Sequence, residues 1–134
     1  MTSKVNYLGD LRTSAIHTSS AKNIITDAPI DNQGKGEAFS PTDTVASALA
    51  SCLLTIMGIK ARDLNIDIKN TTAEVAKIMA SKPRRISEIQ ITVNFTKSYD
   101  QRIKKILEKA ALACPVSNSL HPDLKQNILF NWPS

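Results

Sequence analysis

The chain has 134 residues, of which 42% are apolar and 22% charged, a composition typical of one globular domain with a core of its own. Aromatic residues make up only 4%, so Ile, Leu, Val and Ala are expected to build that core. The net charge of +5 would suit a nucleic-acid partner, but the basic residues are scattered and lack interleaved aromatic residues, which argues against a typical single-strand binder.

The sequence shows no pattern of export or membrane insertion. Its N-terminus, MTSKVNYLGDL, lacks the basic, apolar and small-residue zones of a signal peptide. The apolar run Val45–Ile59 is shorter than the ~20 residues that cross a bilayer. We therefore expect a soluble, cytoplasmic protein with no membrane and no nucleic-acid partner. In the cytoplasm, cysteines are more often free or redox-active than joined in structural disulfides, and we expect the same of the two cysteines in this chain.

Residues 1–39 are predicted to form a β-rich N-terminal part. Turn residues at Gly9-Asp10 and over Thr18–Asn23 separate three short stretches of strand-like composition. The segment 27–39 is rich in Pro, Gly, Asp and Asn and is predicted to be a loop. The three expected strands lie near Val5–Leu8, over Leu11–His17 and over Ile24–Thr26.

Residues 40–63 are predicted to form one long apolar helix. Ser40 is a suitable N-cap, and Asp43 falls in the first turn, where a carboxylate complements the positive end of the helix. The apolar residues of Val45–Ile59 are not confined to one stripe. We therefore expect burial on most of the helix circumference, with the thiol of Cys52 inside.

Residues 66–96 are predicted to form a hairpin. Ile66–Met79 alternates partially and is compatible with one strand or two, and Ala80–Arg85 is expected to turn the chain. Ile86–Phe95 alternates clearly, with its apolar residues on one face and its polar residues on the other. This pattern predicts a sheet with one side in water.

Residues 99–114 are predicted to form a second helix with a continuous apolar stripe that ends at Cys114. Ser98 and Gln101 have the spacing of a capping box, and Pro115 is expected to end or kink the helix. Residues 125–132 are predicted to form a last strand at a sheet edge. The order of elements indicates an α+β domain.

No metal or cofactor site is expected. The nitrogen and sulfur ligands available are His17, His121, Cys52 and Cys114, and no two of them have the short spacing typical of zinc sites.

The two cysteines are the stronger candidates for chemistry. Each lies on the apolar face of a predicted helix, so Cys52 and Cys114 either approach the Cα separation of ~5.5 Å that a disulfide requires or serve as small core residues. Spacing alone leaves both interpretations open. A reactive Cys52 needs a nearby cation, because its distance from the helix N-terminus weakens the dipole effect. Arg12, on an early strand with uncharged neighbours, is the best candidate.

The two cysteine contexts resemble one known family. The predicted long helix opens Ser40-Pro-Thr-Asp, continues Ala48-Leu-Ala-Ser-Cys52 and then Leu53-Leu-Thr-Ile-Met57. The second context, Ala113-Cys-Pro-Val-Ser-Asn-Ser-Leu120, follows after the predicted hairpin. Together they are similar to the OsmC/Ohr family of organic hydroperoxide reductases, over nearly the whole chain.

The resemblance implies an OsmC-like fold, in which antiparallel sheets are wrapped around long central helices in an intertwined homodimer. It implies that Cys52 attacks the peroxide as a thiolate and becomes a sulfenic acid, and that Cys114 then forms a disulfide with it. Reduction by a dithiol or a lipoyl-bearing protein completes the cycle. In the family an arginine and a glutamate complete the site; Arg12 is expected to be the arginine.

The helix opening departs from the Ohr pattern. Where that branch has its glutamate after the proline, this chain has Thr42, and Asp43 lies one residue further on, about 100° around the helix. Either residue is a candidate for the family position. A non-enzymatic dimer that binds an apolar ligand in the same pocket therefore stays open as an alternative.

Overall fold

Three antiparallel strands form the first sheet, in the order β1-β2-β3. The computed structural model describes residues 1–134, and its contacts divide the chain into two compact units, Met1–Val45 and Ala46–Ser134. The strands of the first unit are β1 (Ser3–Gly9), β2 (Arg12–His17) and β3 (Asn23–Asp27).

The first unit confirms the strand order and both turns predicted from the sequence. β3 is longer than expected, because Asp27, predicted to begin the loop, pairs with Arg12 as the last residue of the strand. The loop that follows contains a short 3₁₀ helix, Ile30–Asn32.

Helix α1 (Pro41–Asp63) begins in the first unit and continues in the second. Its N-terminus is a reciprocal capping box: the Asp43 N–H donates to Ser40 Oγ at 3.0 Å, and the Ser40 N–H donates to Asp43 Oδ2 at 2.9 Å. The predicted N-cap is therefore confirmed, with Asp43 as its partner.

Within this chain α1 is buried along one face only, so the expected burial on most of its circumference is wrong for the single chain. Ile59 is 52% exposed and Val45 39%. Since one chain supplies cover for one side of the helix, apolar residues on the other side remain at the surface. The buried residues of α1 are Ala46, Leu49, Ala50, Leu53, Met57 and Ala61.

The full length of α1 also changes the comparison with membrane spans. The whole helix, with 23 residues, is long and apolar enough to cross a bilayer. The apolar run Val45–Ile59 within it is too short to do so. Length and composition alone are weak grounds, because the core helix of a soluble protein passes the same test.

The second sheet contains β4 (Thr72–Ala80), β5 (Arg85–Asn94) and β6 (Lys125–Asn131), in the order β4-β5-β6. β4 and β5 form the predicted hairpin, although the strand begins at Thr72 rather than at residue 66. β6 lies at an edge as predicted, but it runs parallel to β5. The expectation of antiparallel sheets is therefore wrong for this pair.

The core of the second unit lies on one face of this sheet. Ile89, Ile91 and Val93 of β5 are almost fully buried and pack with the buried face of α1, whereas Gln90 between them is exposed. The alternation in the sequence thus gives the predicted sheet with one side in water.

A parallel neighbour requires a crossover connection, and two helices supply it here. α2 (Gln101–Leu112) is shorter than predicted, and its N-cap is Asp100, whose Oδ1 accepts from the Ile103 N–H at 2.9 Å. Ser98, predicted as the cap, lies before it. Helix α3 (Pro115–Ser119) was not predicted from the sequence, because Pro115, expected to end the preceding helix, also starts this one.

Candidate functional site

The second unit sets the two cysteines next to each other. Cys52, halfway along α1, is half-buried and packs against the core. Cys114 is fully buried between α2 and α3. Both are free thiols, and Cys52 lies close enough to Cys114 for the two side chains to interact. The structure therefore favours a thiol pair over two separate core residues.

Burial raises the pKa of the Cys114 thiol, and the neighbouring Cys52 raises it further. Two backbone N–H groups, of Ser117 and Val116, act in the opposite direction by donating to the sulfur. The first of these bonds makes Cys114 the N-cap of α3, with 3.4 Å between Ser117 N and Cys114 Sγ. Cys114 is thus a buried thiol whose sulfur is held by the first turn of α3.

Sequence reasoning missed the side-chain pair that holds this turn. Ser117 Oγ donates to Gln126 Oε1 at 2.6 Å, and Gln126 Nε2 donates to the Ser117 carbonyl oxygen at 3.2 Å. Gln126 lies on β6, nine residues further along the chain. No local motif connects the two residues, and only the parallel pairing of β6 brings them together.

Arg12 lies in the first unit with two carboxylates around it. Its Nη2 is 3.1 Å from Asp27 Oδ2 and 3.4 Å from Glu37 Oε2. These contacts raise the pKa of Arg12 above its usual value, so the guanidinium stays charged. The expectation that Arg12 has uncharged neighbours is therefore wrong, because the hairpin register places Asp27 directly opposite Arg12.

Asp27 is the most constrained member of this cluster, because its side chain is fully buried. The Glu37 N–H donates to Asp27 Oδ2 at 3.0 Å, and this bond, followed by the contact with Arg12, lowers the pKa of the carboxyl against the effect of burial. Asp27 Oδ1 has no hydrogen-bond partner. The hairpin turn over Thr18–Ala21 sets His17 opposite Lys22, and the same register continues to the pairing of Arg12 with Asp27.

The predicted site residues thus fall in two places. Arg12 and Asp43 belong to the first unit, and Cys52 and Cys114 to the second. The carboxylate of Asp43 accepts the hydrogen bond from the Ser40 N–H in the capping box. Thr42 Oγ1 lies 3.2 Å from Ser40 Oγ at the same helix start.

A separate open groove of about 400 Å³ lies between the second half of α1 and the segment 66–71. Its lining combines apolar and polar residues, with Leu54, Gly58 and Ala61 on the helix side, and neither cysteine is among the lining residues. Charged side chains, Arg62, Asp67 and Lys69, also line it. No group of three or more His, Cys, Asp or Glu side chains is placed to hold a metal ion.

The sequence profile of the OsmC-like protein family matches residues 34–128. The chain belongs to the OsmC-like family. The match includes α1 and both cysteine contexts, and it confirms the resemblance found in the sequence. No match was found among the curated proteins.

Solved structures agree with this OsmC-like assignment. A protein of Psychrobacter arcticus 273-4, provisionally named for osmotic stress induction and a detoxification response, is 60% identical, with a TM-score of 0.95 over 98% of this chain and 96% of that one.

Two more distant structures show the fold alone. The organic hydroperoxide resistance protein OsmC of Legionella pneumophila is 16% identical, with a TM-score of 0.76 over 98% of this chain and 97% of that one. The organic hydroperoxide resistance protein OhrB of Bacillus subtilis is 18% identical, with a TM-score of 0.72 over 98% of each chain. The OsmC-like fold of mixed α and β content, with two sheets and helices, is therefore shown for this chain.

Proposed function

We propose that this OsmC-like protein is a thiol-dependent peroxidase that reduces organic hydroperoxides, with Cys52 as the peroxidatic and Cys114 as the resolving cysteine. The observation that carries the proposal is the pairing of the two thiols, one half-buried and the other fully buried. The family assignment and the hydroperoxide-resistance names of two structural relatives support it.

The half-buried thiol suits the first step of such a reaction. The Cys52 thiolate attacks one oxygen of the peroxide, the O–O bond breaks, and the alkoxide leaves and takes a proton to become an alcohol. Cys52 retains the other oxygen as a sulfenic acid. Its apolar surroundings favour alkyl hydroperoxides over hydrogen peroxide, because each buried CH₂ of an alkyl tail contributes ~0.8 kcal/mol.

The buried thiol suits the second step. Cys114 attacks the sulfur of the Cys52 sulfenic acid, the S–O bond breaks, and the hydroxide leaves with the thiol proton as water. An external dithiol, such as a lipoyl-bearing protein, then reduces the disulfide and is itself oxidised. No cofactor takes part in this cycle.

Arg12 is the proposed cation for the Cys52 thiolate, and Asp43 is the acid proposed to take the place of the family glutamate. Support for Arg12 comes from its fixed charge and from the carboxylates that hold it. A second copy of the chain is proposed as the partner that covers the exposed apolar side of α1, giving a cytoplasmic homodimer.

The test is intact mass spectrometry after one equivalent of cumene hydroperoxide. The wild-type protein should lose about 2 Da as the disulfide forms, Cys52→Ser should stay unchanged, and Cys114→Ser should gain about 16 Da as the sulfenic acid. Consumption of peroxide with dihydrolipoamide, compared with dithiothreitol, then tests the reductant. Free thiols in the treated wild type would overturn the proposal.

One observation favours a second candidate, a non-enzymatic dimer that binds an apolar ligand. The groove beside α1 has a volume of about 400 Å³, and apolar residues that include Leu54, Ile66 and Ile68 line part of it, away from the thiols. Binding of a fluorescent fatty acid with equal affinity by wild type and Cys52→Ser, in a protein that consumes no peroxide, would support this function instead.

A further inference from the structure

Helix α3 is too short to hold its own shape. It has five residues, and an isolated helix of that length is unstable in water. Val116 within the helix and Leu120 directly after it are partly buried against the core. Within the helix, the Asn118 N–H donates to the Cys114 carbonyl oxygen at 3.1 Å, and Ser119 Oγ donates to the Pro115 carbonyl oxygen at 2.8 Å. These internal bonds do not attach the helix to the sheet.

The attachment to the sheet is made by Ser117 and Gln126. Each residue both donates and accepts across the gap, at 2.6 Å through the Ser117 hydroxyl and at 3.2 Å through its carbonyl oxygen. Two simultaneous bonds fix direction as well as distance, because rotation about one of them breaks the other. The backbone of Ser117 is thereby held against β6.

The same backbone holds the sulfur of Cys114. The N–H of Ser117 points at Cys114 Sγ, 3.4 Å away. Any movement of Ser117 therefore changes the position of a thiol that is fully buried. A path of hydrogen bonds runs from the Gln126 amide through Ser117 to Cys114.

We propose that Gln126 is a positioning residue for the resolving step, acting through Ser117 to keep the sulfur of Cys114 directed at Cys52. The inference rests on the proposed peroxidase function, because it concerns the second of its two chemical steps. Gln126 touches neither substrate nor the reacting oxygen. Its loss should slow the attack of Cys114 on the sulfenic acid and leave the attack of Cys52 on peroxide unchanged.

The experiment compares Gln126→Leu and Ser117→Ala with wild type. Each protein is mixed with one equivalent of cumene hydroperoxide without reductant, quenched in acid at set times and analysed by intact mass spectrometry. Sulfenic acid formation should proceed at the wild-type rate. Disulfide formation should slow by about fivefold in Ser117→Ala, which loses one net hydrogen bond, and by at least as much in Gln126→Leu, which loses two. With excess peroxide, the fraction of sulfinic acid, a gain of about 32 Da, should rise in both variants.

Three further variants separate a positioning role from a general loss of rigidity. Ser119→Ala removes the neighbouring hydroxyl, which bonds within α3 only, and should leave both steps unchanged. The double variant Ser117→Ala with Gln126→Leu should resolve no more slowly than Gln126→Leu alone, because Gln126→Leu already removes both bonds of the pair. Ser117→Thr, which keeps the hydroxyl, should restore the rate.

The outcomes distinguish the two levels of the proposal. If wild type forms neither sulfenic acid nor disulfide, the peroxidase function fails. If wild type resolves normally and Gln126→Leu and Ser117→Ala resolve at the same rate, the positioning role is wrong. Additive slowing in the double variant, or equal slowing by Ser119→Ala, would also overturn it. Circular dichroism of each variant at the assay temperature tests whether the variant is folded, and only folded variants are compared.

Discussion

Arg12 and Asp27 face each other on neighbouring strands of the first sheet, with 3.1 Å between Arg12 Nη2 and Asp27 Oδ2. The Asp27 side chain is fully buried, whereas that of Arg12 remains 35% exposed. A buried carboxylate is stable as an anion only where donors compensate for lost water. Here the guanidinium and the Glu37 N–H provide them.

We expect Asp27→Asn to remove part of the acid dependence of stability. The pKa of Asp27 is lowered in the folded chain, first by the Glu37 N–H and then by Arg12. Its contribution to stability is therefore present above the ordinary pKa near 3.8 and is lost as the pH falls through the lowered value. The variant should be less stable at neutral pH and show a shallower decline in acid. Urea unfolding at a series of pH values measures both.

The control for this experiment is Asp123→Asn, because the Asp123 side chain is 93% exposed. It should keep the wild-type decline in acid. A wild-type acid profile in Asp27→Asn would contradict the assigned ion pair.

Arg12→Met should reduce the reactivity of Cys52. If the guanidinium stabilises the thiolate, its removal lowers the thiolate fraction, and alkylation by iodoacetamide at neutral pH should slow by about tenfold. The rate is followed by mass spectrometry of the peptide containing Cys52. The control is Lys4→Met, which removes a different cation from the same sheet and should leave the alkylation rate unchanged. An unchanged rate in Arg12→Met would exclude Arg12 as the thiolate partner.

Cys114 should be protected from alkylation in the native protein. Its thiol is fully buried and its pKa is raised, so both access and thiolate are scarce at neutral pH. Peptide mapping after treatment with iodoacetamide should show label on the half-buried Cys52 first and on Cys114 only after denaturation. Equal labelling of both residues in the native state would contradict the burial described.

The exposed side of α1 should determine oligomeric state. Ile59 is 52% exposed on this helix, and a lysine there would place a charge in any interface that covers it. We expect Ile59→Lys to weaken the proposed homodimer by about tenfold or more, measured by sedimentation velocity over a concentration series. Leu129→Lys, at a 58% exposed position on β6, is the matched control and should leave the dimer intact.

Ser40→Ala should destabilise the chain by about 1 kcal/mol, because the Asp43 N–H loses its acceptor at the start of α1. Urea unfolding measures the change. Ser51→Ala, at an exposed position on the same helix, should change the unfolding free energy by less than about 0.5 kcal/mol. Equal effects of the two substitutions would show that the capping box contributes nothing.

Features encoded by neighbouring residues could be predicted from the sequence. The cap at Ser40 depends on Asp43, three residues away, and the alternation over β5 reports burial residue by residue. The family resemblance rested on two such local patterns around the cysteines. These are the parts of the fold and site in which prediction and structure agree.

Features that depend on pairing between distant segments could not be predicted with the same certainty. The sequence indicates a helix between β5 and β6, which allows a crossover, but it does not fix the strand beside which β6 lies or the direction in which β6 runs. The register that sets Asp27 against Arg12, and the contact of Ser117 with Gln126, have the same origin. The burial expected around α1 was wrong for the single chain, because apolar residues indicate that a surface favours burial but do not show which part of the chain, or which other molecule, buries it.

The ring of Trp132 stacks on that of Phe95, so the fluorescence of Trp132 reports on the packing at this point. Trp132 is the single tryptophan of the chain. The centroid of its ring lies 3.5 Å from the ring centroid of Phe95. Its Nε1 donates a hydrogen bond to Glu108 Oε1 on α2 at 3.2 Å. α2 leads directly to Cys114, so a shift of this helix during the thiol chemistry would change the surroundings of the indole. Intrinsic fluorescence can therefore follow the fold around the thiols in real time without any added label.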